Sequence, residues 1–261
     1  MRHLTVAIVF AVVLTSGMVP AAAPAAALAA HRARYDLHLE QGRNDVIAGT
    51  GSMEYEVSDG CDAWVVRQRL HMQLTGKDGS QSEMLSDYST VESKDGKTLR
   101  FRLRQTNDGK VSSEIAGIAT KSATGGVVNY SLPETATKKL PPGTLFPMAH
   151  TAALLAAAQA GKKFIAVPLF DGTGTSGAQN SAIAIAGWNG AAKSAWPALA
   201  KLSSGRVRIA FFDRDSNNPQ ADYEVGMRYF VNGVADNLSM DFGDFVMGAK
   251  LSQLIIAKPG C

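Results

Sequence analysis

The sequence predicts an all-β chain, mainly antiparallel, whose large curled sheet wraps one main α-helix. Three observations predict it. Short runs alternate apolar and polar residues with period two, which gives each strand one buried and one wet face. Turns rich in Gly, Asp and Asn separate these runs at short intervals. One long segment, Leu145–Gly161 (LFPMAHTAALLAAAQAG), carries no Asp, Glu, Lys or Arg. An uncharged helix amid strands is most simply a helix that the strands enclose.

Residues 1–30 read as a secretory signal peptide. Arg2 and His3 precede an apolar run from Leu4 to Val13, and small residues follow as far as Ala27-Leu28-Ala29-Ala30. Cleavage is expected after Ala29 or Ala30. The apolar run is short for a membrane span and is followed by Pro20 and Pro24. No Cys stands at the cleavage point to suggest a lipoprotein, and no later segment reads as a span. Residues 31–261 remain as the exported chain and are read as one domain. Losing Arg2 removes one positive charge from a formal net charge of +3. That balance is too weak to argue for nucleic acid or a membrane surface.

The strands follow in order. Tyr35, Leu37 and Leu39 alternate with Asp36, His38 and Glu40. Met53, Tyr55 and Val57 alternate with Glu54 and Glu56. After the turn Ser58-Asp59-Gly60, the residues Val66, Gln68, Leu70, Met72 and Leu74 share one face, opposite Arg67, Arg69, His71 and Gln73. Gly76–Gly79, Asp95-Gly96 and Asn107-Asp108-Gly109 then separate Gln81–Glu92, the Leu99/Phe101/Leu103 run and Val111–Ile118. The charges on the outer face read as solvated and edge-protecting. Val127–Leu132 is one more strand before the breaker Leu140-Pro141-Pro142-Gly143-Thr144.

The helix comes next. Pro147 suits its first turn, Gly161 suits the C′ position, and Lys162 and Lys163 suit its negative end. Leu145, Met148, Leu154 and Leu155 are its candidate buried residues. Lys163–Phe170 and Ser181–Trp188 read as strands around a flexible glycine-rich loop, Asp171–Gly177. Asn189–Lys201 reads as irregular. Val207, Ile209 and Phe211 open another strand. A hairpin turning at Asn232-Gly233 reads as a type I′ turn, and Lys250–Ile256 is the last strand. Twelve to fourteen strands are expected.

The two cysteines, Cys61 and Cys261, suggest a disulfide in an exported chain; the alternative is two free thiols. Closing a loop of about 200 residues corresponds to about 4–5 kcal/mol in chain-entropy models. No metal or cofactor is expected: no two of His31, His38, His71 and His150 stand at ligand spacing, and no EF-hand loop is present. The loop Gly172–Gly177 lacks the Gly-Lys-Ser/Thr ending of a phosphate loop. His150, inside the apolar helix, is the one candidate for a role beyond packing. A lone helical His is more often a hydrogen-bonded core residue, and no G-x-S-x-G elbow accompanies it.

Several motifs together resemble the EipB-like cell-envelope-integrity proteins. They are His31–Leu37, Gly51 with Met53-Glu54-Tyr55, Asp59-Gly60-Cys61-Asp62-Ala63-Trp64, Leu145–Thr151, Phe170-Asp171-Gly172 and the terminal Cys. The resemblance implies a periplasmic protein of Gram-negative bacteria. It implies a sheet curled into a spiral or broken barrel around a helix, like the LolA-type lipoprotein carriers. It implies a disulfide between Cys61 and Cys261, and it offers no established catalytic residues to carry over. The expected function is non-enzymatic support of the envelope, as a monomer, through envelope proteins or a lipid or lipoprotein ligand. The alternatives are an envelope hydrolase with His150 as base, and a purely structural scaffold held by the disulfide.

Overall fold

The computed structural model describes residues 28–258, apart from 192 and 217. Most of the expected signal segment, and Cys261, therefore lie outside the described residues. Fourteen strands and one helix are found among them. In chain order they are β1 (His31–Gly42), β2 (Val46–Asp59), β3 (Ala63–Gly76), β4 (Gln81–Ser93), β5 (Thr98–Asn107), β6 (Lys110–Ser122), β7 (Gly125–Leu132) and β8 (Ala136–Leu140). The helix α1 (Pro147–Gln159) follows, then β9 (Phe164–Leu169), β10 (Gln179–Ala191), β11 (Ser203–Phe212), β12 (Tyr223–Phe230), β13 (Ala235–Asp241) and β14 (Phe245–Ile256).

All fourteen strands form one antiparallel sheet, ordered β8-β7-β6-β5-β4-β3-β2-β1-β14-β13-β12-β11-β10-β9. The sheet is unclosed, and β8 and β9 are its edges. The chain thus builds two arms. Strands β1–β8 form the first and β9–β14 the second, joined where β1 pairs with β14 from His31↔Ile256 to Gly42↔Phe245. The period-two alternation is realised in β1, where His31, Ala33, Tyr35 and Leu37 are buried while Arg32, Arg34, Asp36 and His38 are exposed. The outward charges of β2–β5 lie in mid-sheet, so they protect no edge, contrary to the sequence expectation. Instead they pair across strands: Arg32 with Glu56, Arg34 with Glu54, Arg69 with Asp87 and Arg102 with Glu114.

Turn chemistry departs from expectation at Asn232-Gly233. At Asp108-Gly109 both residues have positive φ, 50° and 74°, as a type I′ turn requires. At Asn232-Gly233 only Gly233 does, at 84°. The Gly233 N–H donates to the Phe230 carbonyl and the Phe230 N–H to the Val234 carbonyl, each at 2.9 Å. That is a three-residue loop with its glycine in the left-handed position, not a two-residue type I′ turn. Strand β8, on a polar stretch, was not expected, and β10 extends through Ala191 into the segment expected to be irregular.

The helix lies where its lack of charge put it. Leu154 and Leu155 are 1% and 0% exposed, and they pack with Ile183, Ile185, Val207 and Ile209 of the second arm. Met148 packs with Val57 and Val66 of the first. The helix ends in a Schellman motif: the Gly161 N–H donates to the Ala158 carbonyl and the Lys162 N–H to the Ala157 carbonyl, both at 3.0 Å. Leu145 is a correction. It stands outside the helix, half-buried, and makes an isolated bridge to Leu169. Its N–H donates to the Pro168 carbonyl, and its carbonyl accepts from Phe170. Pro147 fixes the helix start, so the residues before it are free to pair with β9.

Candidate functional site

The polar groups that grip α1 come from both arms. The N-cap residue is Phe146, which has no side-chain acceptor to offer. Glu92, at the end of β4 and 1% exposed, fills that role from a distance. Its Oε2 accepts from the Met148 N–H at 2.7 Å and its Oε1 from the Ala149 N–H at 2.9 Å. Two of the four orphan donors of the helix start are thereby satisfied by a carboxylate at the positive end of the dipole. Burial nevertheless raises the Glu92 pKa to about 7, and the two backbone N–H groups and Lys121 pull against it. Sequence reading missed this residue. The available signal was a helix opening on Phe-Pro with no Ser, Thr, Asp or Asn beside it, which calls for a cap from elsewhere.

On the other side His150 meets Ser181 of β10. The His150 ring is 5% exposed and its Nε2 stands 2.9 Å from Ser181 Oγ. Ser181 Oγ donates its single proton to the Val167 carbonyl at 2.8 Å. It can therefore only accept from the imidazole, so Nε2 carries the proton and the ring is a donor. A base that is to activate this serine would need the opposite arrangement. Burial lowers the His150 pKa to about 4. Ser181 itself is 1% exposed. Next to them Thr151 Oγ1 lies 3.3 Å from the Tyr229 hydroxyl of β12.

The glycine-rich loop between β9 and β10 is a latch rather than a free loop. Tyr88 donates to the Asp171 carbonyl at 2.5 Å, and Tyr130 to the Gly174 carbonyl at 3.1 Å. The Asp171 carboxylate accepts from Thr173 and Gln179. Gly172 has φ +78° and lies so close to Phe101 that a Cβ there would overlap the ring. Phe170 stacks edge-on against Phe101 at 5.3 Å and meets Phe146 at 6.3 Å. The latch thus fastens the second arm onto β4, β5 and β7 of the first.

Cys61 sits at φ 67° in the β2–β3 turn, where Asp59 Oδ1 accepts its N–H at 3.0 Å. Lys94 reaches the same carboxylate at 2.5 Å and lies over the Trp64 ring. Cys61 is not a free thiol. On the outer face two adjoining grooves, about 470 and 770 Å³, share Arg67 and Ser89. Val91 and Ile118 are exposed there, flanking Arg100 across the strands. Among the described residues no metal-binding cluster is found, and no helix is long and apolar enough to cross a membrane.

This geometry defines a class: an unclosed antiparallel sheet whose two arms grip an internal helix and are latched to each other by one loop. The comparisons with known proteins agree on which one. Residues 22–258 match the EipB-like family model, and the chain belongs to that family. It is 30% identical over 247 residues to the Cell envelope integrity protein EipB of Brucella abortus (strain 2308), covering 92% of this chain and 88% of that protein. It also resembles the crystal structure of a beta-barrel-like protein of a domain of unknown function from Brucella abortus. The TM-score is 0.83 at 28% identity, over 89% of this chain and 99% of that one.

Proposed function

We propose that this chain is a periplasmic, non-enzymatic protein that supports envelope integrity through contacts made by the outer face of its sheet with other envelope proteins. The relative's role in envelope integrity supports the setting. The observation that carries the mode of action is the position of α1. Its fully buried Leu154 and Leu155 occupy the space between the arms that an internal lipid would need. The outer grooves, with Arg67 and Arg100 beside exposed Val91 and Ile118, offer a mixed apolar and cationic surface instead. Such a surface suits a partner with acidic and apolar residues. The committed proton of Ser181 argues against the hydrolase alternative. We further propose that Cys61 pairs with Cys261, fastening the chain's end to the β2–β3 turn.

Complementation tests the reading. A strain lacking the gene would be supplied with the chain carrying Arg67→Glu and Arg100→Glu, and its survival on detergent measured. The variant is expected to fold with an unchanged melting temperature and to fail to restore resistance. Full restoration would defeat the outer-face reading, and a lipid co-purifying in native mass spectrometry would favour the internal-ligand one.

A further inference from the structure

On the outer face of the first arm the register sets one row of side chains across the strands. Val65 of β3 lies beside Val91 of β4, Val91 beside Arg100 of β5, Arg100 beside Ile118 of β6, and Ile118 beside Asn129 of β7. Val91 and Ile118 are 42% and 43% exposed, although they stand in mid-sheet. Arg100 between them differs from the outward arginines that pair across strands. Its cross-strand neighbours are aliphatic, and Arg102, next along its strand on this face, is tied to Glu114. No carboxylate adjoins it in the register. Ser89 and Ala116, short side chains in the next row, leave the trough of about 770 Å³ that Arg67 and Arg102 wall. At the far end of the row the Thr137 hydroxyl donates to Asn129 Oδ1 at 2.8 Å, which leaves the Asn129 amide N–H groups to donate to a ligand.

The spacing of the row selects the shape of its occupant. Neighbouring strands are about 4.8 Å apart, so Arg100 lies about 4.8 Å and Ile118 about 9.6 Å from Val91 along the row. In a helix laid along it, positions i+3 and i+7 share the face of position i and lie about 4.5 and 10.5 Å further on. An extended chain repeats its face only every 6.8 Å or about that, and misses both. We propose that the outer face binds an amphipathic helix of another envelope protein. Apolar residues at i and i+7 sit on Val91 and Ile118, and an Asp or Glu at i+3 sits over Arg100. The inference rests on the outer-face reading above and gives its partner a shape and a charge. The apolar contacts on either side exclude water from the ion pair, which strengthens it and rejects a basic helix.

The probe is an alanine-rich peptide of about 20 residues, long enough to be helical in water, with Leu at i and i+7 and Glu at i+3. Its binding to the folded chain is followed by fluorescence anisotropy. A control of the same composition has its second Leu at i+5, on the opposite face. The first peptide is expected to bind about tenfold more tightly than the control, and to lose about tenfold against Arg100→Glu. Val91→Thr with Ile118→Thr keeps both residues β-branched and is expected to lose about tenfold as well. No binding, equal binding of the two peptides, or unchanged binding to Arg100→Glu overturns the inference. Equal or tighter binding of a version with a central Pro overturns it in favour of an extended chain. Arg100-dependent binding to phosphatidylglycerol vesicles without a peptide preference overturns it in favour of a lipid headgroup. Complementation keeps the two readings apart. If Arg67→Glu with Arg100→Glu restores detergent resistance, the outer-face reading itself falls. If that variant fails to restore it and the peptides bind alike, only the helix falls.

Discussion

The first arm holds α1 with a carboxylate; the second holds it with hydroxyls. Glu92 of β4 takes two backbone N–H groups at the helix start, where the dipole favours negative charge. Ser181 of β10 and Tyr229 of β12 meet the side chains of His150 and Thr151 one turn in. The apolar contacts are divided the other way. The second arm gives α1 a wall of four buried aliphatic residues, whereas the first reaches Met148 with two valines. The arm with less apolar contact therefore carries the stronger polar one. Each such bond contributes about 0.5–1.5 kcal/mol, more when the acceptor is charged, although burial works against the charge of Glu92. The helix is a pin between the two arms of one sheet.

The sharpest way to break this arrangement is at Glu92. Glu92→Ala leaves two buried backbone N–H groups without acceptors and opens a cavity, and is expected to cost about 3–5 kcal/mol in urea unfolding. A loss below about 1 kcal/mol would mean that the first arm does not depend on this cap. Gly172→Ala strikes the latch instead. The new methyl overlaps Phe101 at a positive φ, so about 2–4 kcal/mol is expected, with weaker near-ultraviolet signal from the Phe101–Tyr130–Phe170 cluster. Ser181→Ala is milder. It removes the acceptor of the His150 ring and the donor to Val167, at about 1–2 kcal/mol. At permissive temperature this variant is expected to restore envelope resistance in full. Loss of resistance at unchanged stability would revive the hydrolase reading.

These same contacts show what the sequence exposed and what it hid. Alternation, turn residues and one uncharged segment were enough for most of the strands and the enclosed helix, because each is a local pattern; the β1–β14 pairing that joins the arms is not. The grip was hidden because it joins residues far apart in the chain. Glu92 and Met148 are 56 positions apart, and nothing near Glu92 marks it as buried. Its strand carries Ser86, Thr90 and Glu92 on the inner face, so apolar periodicity is weak there. His150 was visible as the polar residue in the helix, but its partner was one serine among many. Leu145 reads as helix because its lack of charge continues that of the residues after Pro147; the backbone pairing with β9 has no side-chain signature. The glycine loop looked free because only the folded sheet brings Phe101 beneath Gly172.

The smallest expected effect sharpens the comparison furthest. Glu92 has a folded pKa of about 7 against 4.5 for an ordinary glutamate. The folded state therefore holds its proton more tightly, and that stabilisation, complete below about pH 4.5, is lost as pH rises to about 7. His150 has a folded pKa of about 4 against 6.5. Its contribution is complete above about pH 6.5 and is lost as pH falls towards 4. Each spans about 3 kcal/mol, and over pH 4.5–6.5 the two slopes oppose each other. Burial shifts Asp171 in the same direction as Glu92, and His31 in the same direction as His150, so the second pair opposes as well. The unaltered protein is expected to change little in urea midpoint across this range. Glu92→Gln unmasks the histidines, so its stability should fall towards acid. His150→Gln unmasks the carboxyls, so its stability should rise towards acid. Equal pH profiles for the two variants would show that the arms do not hold the helix through groups of opposite titration.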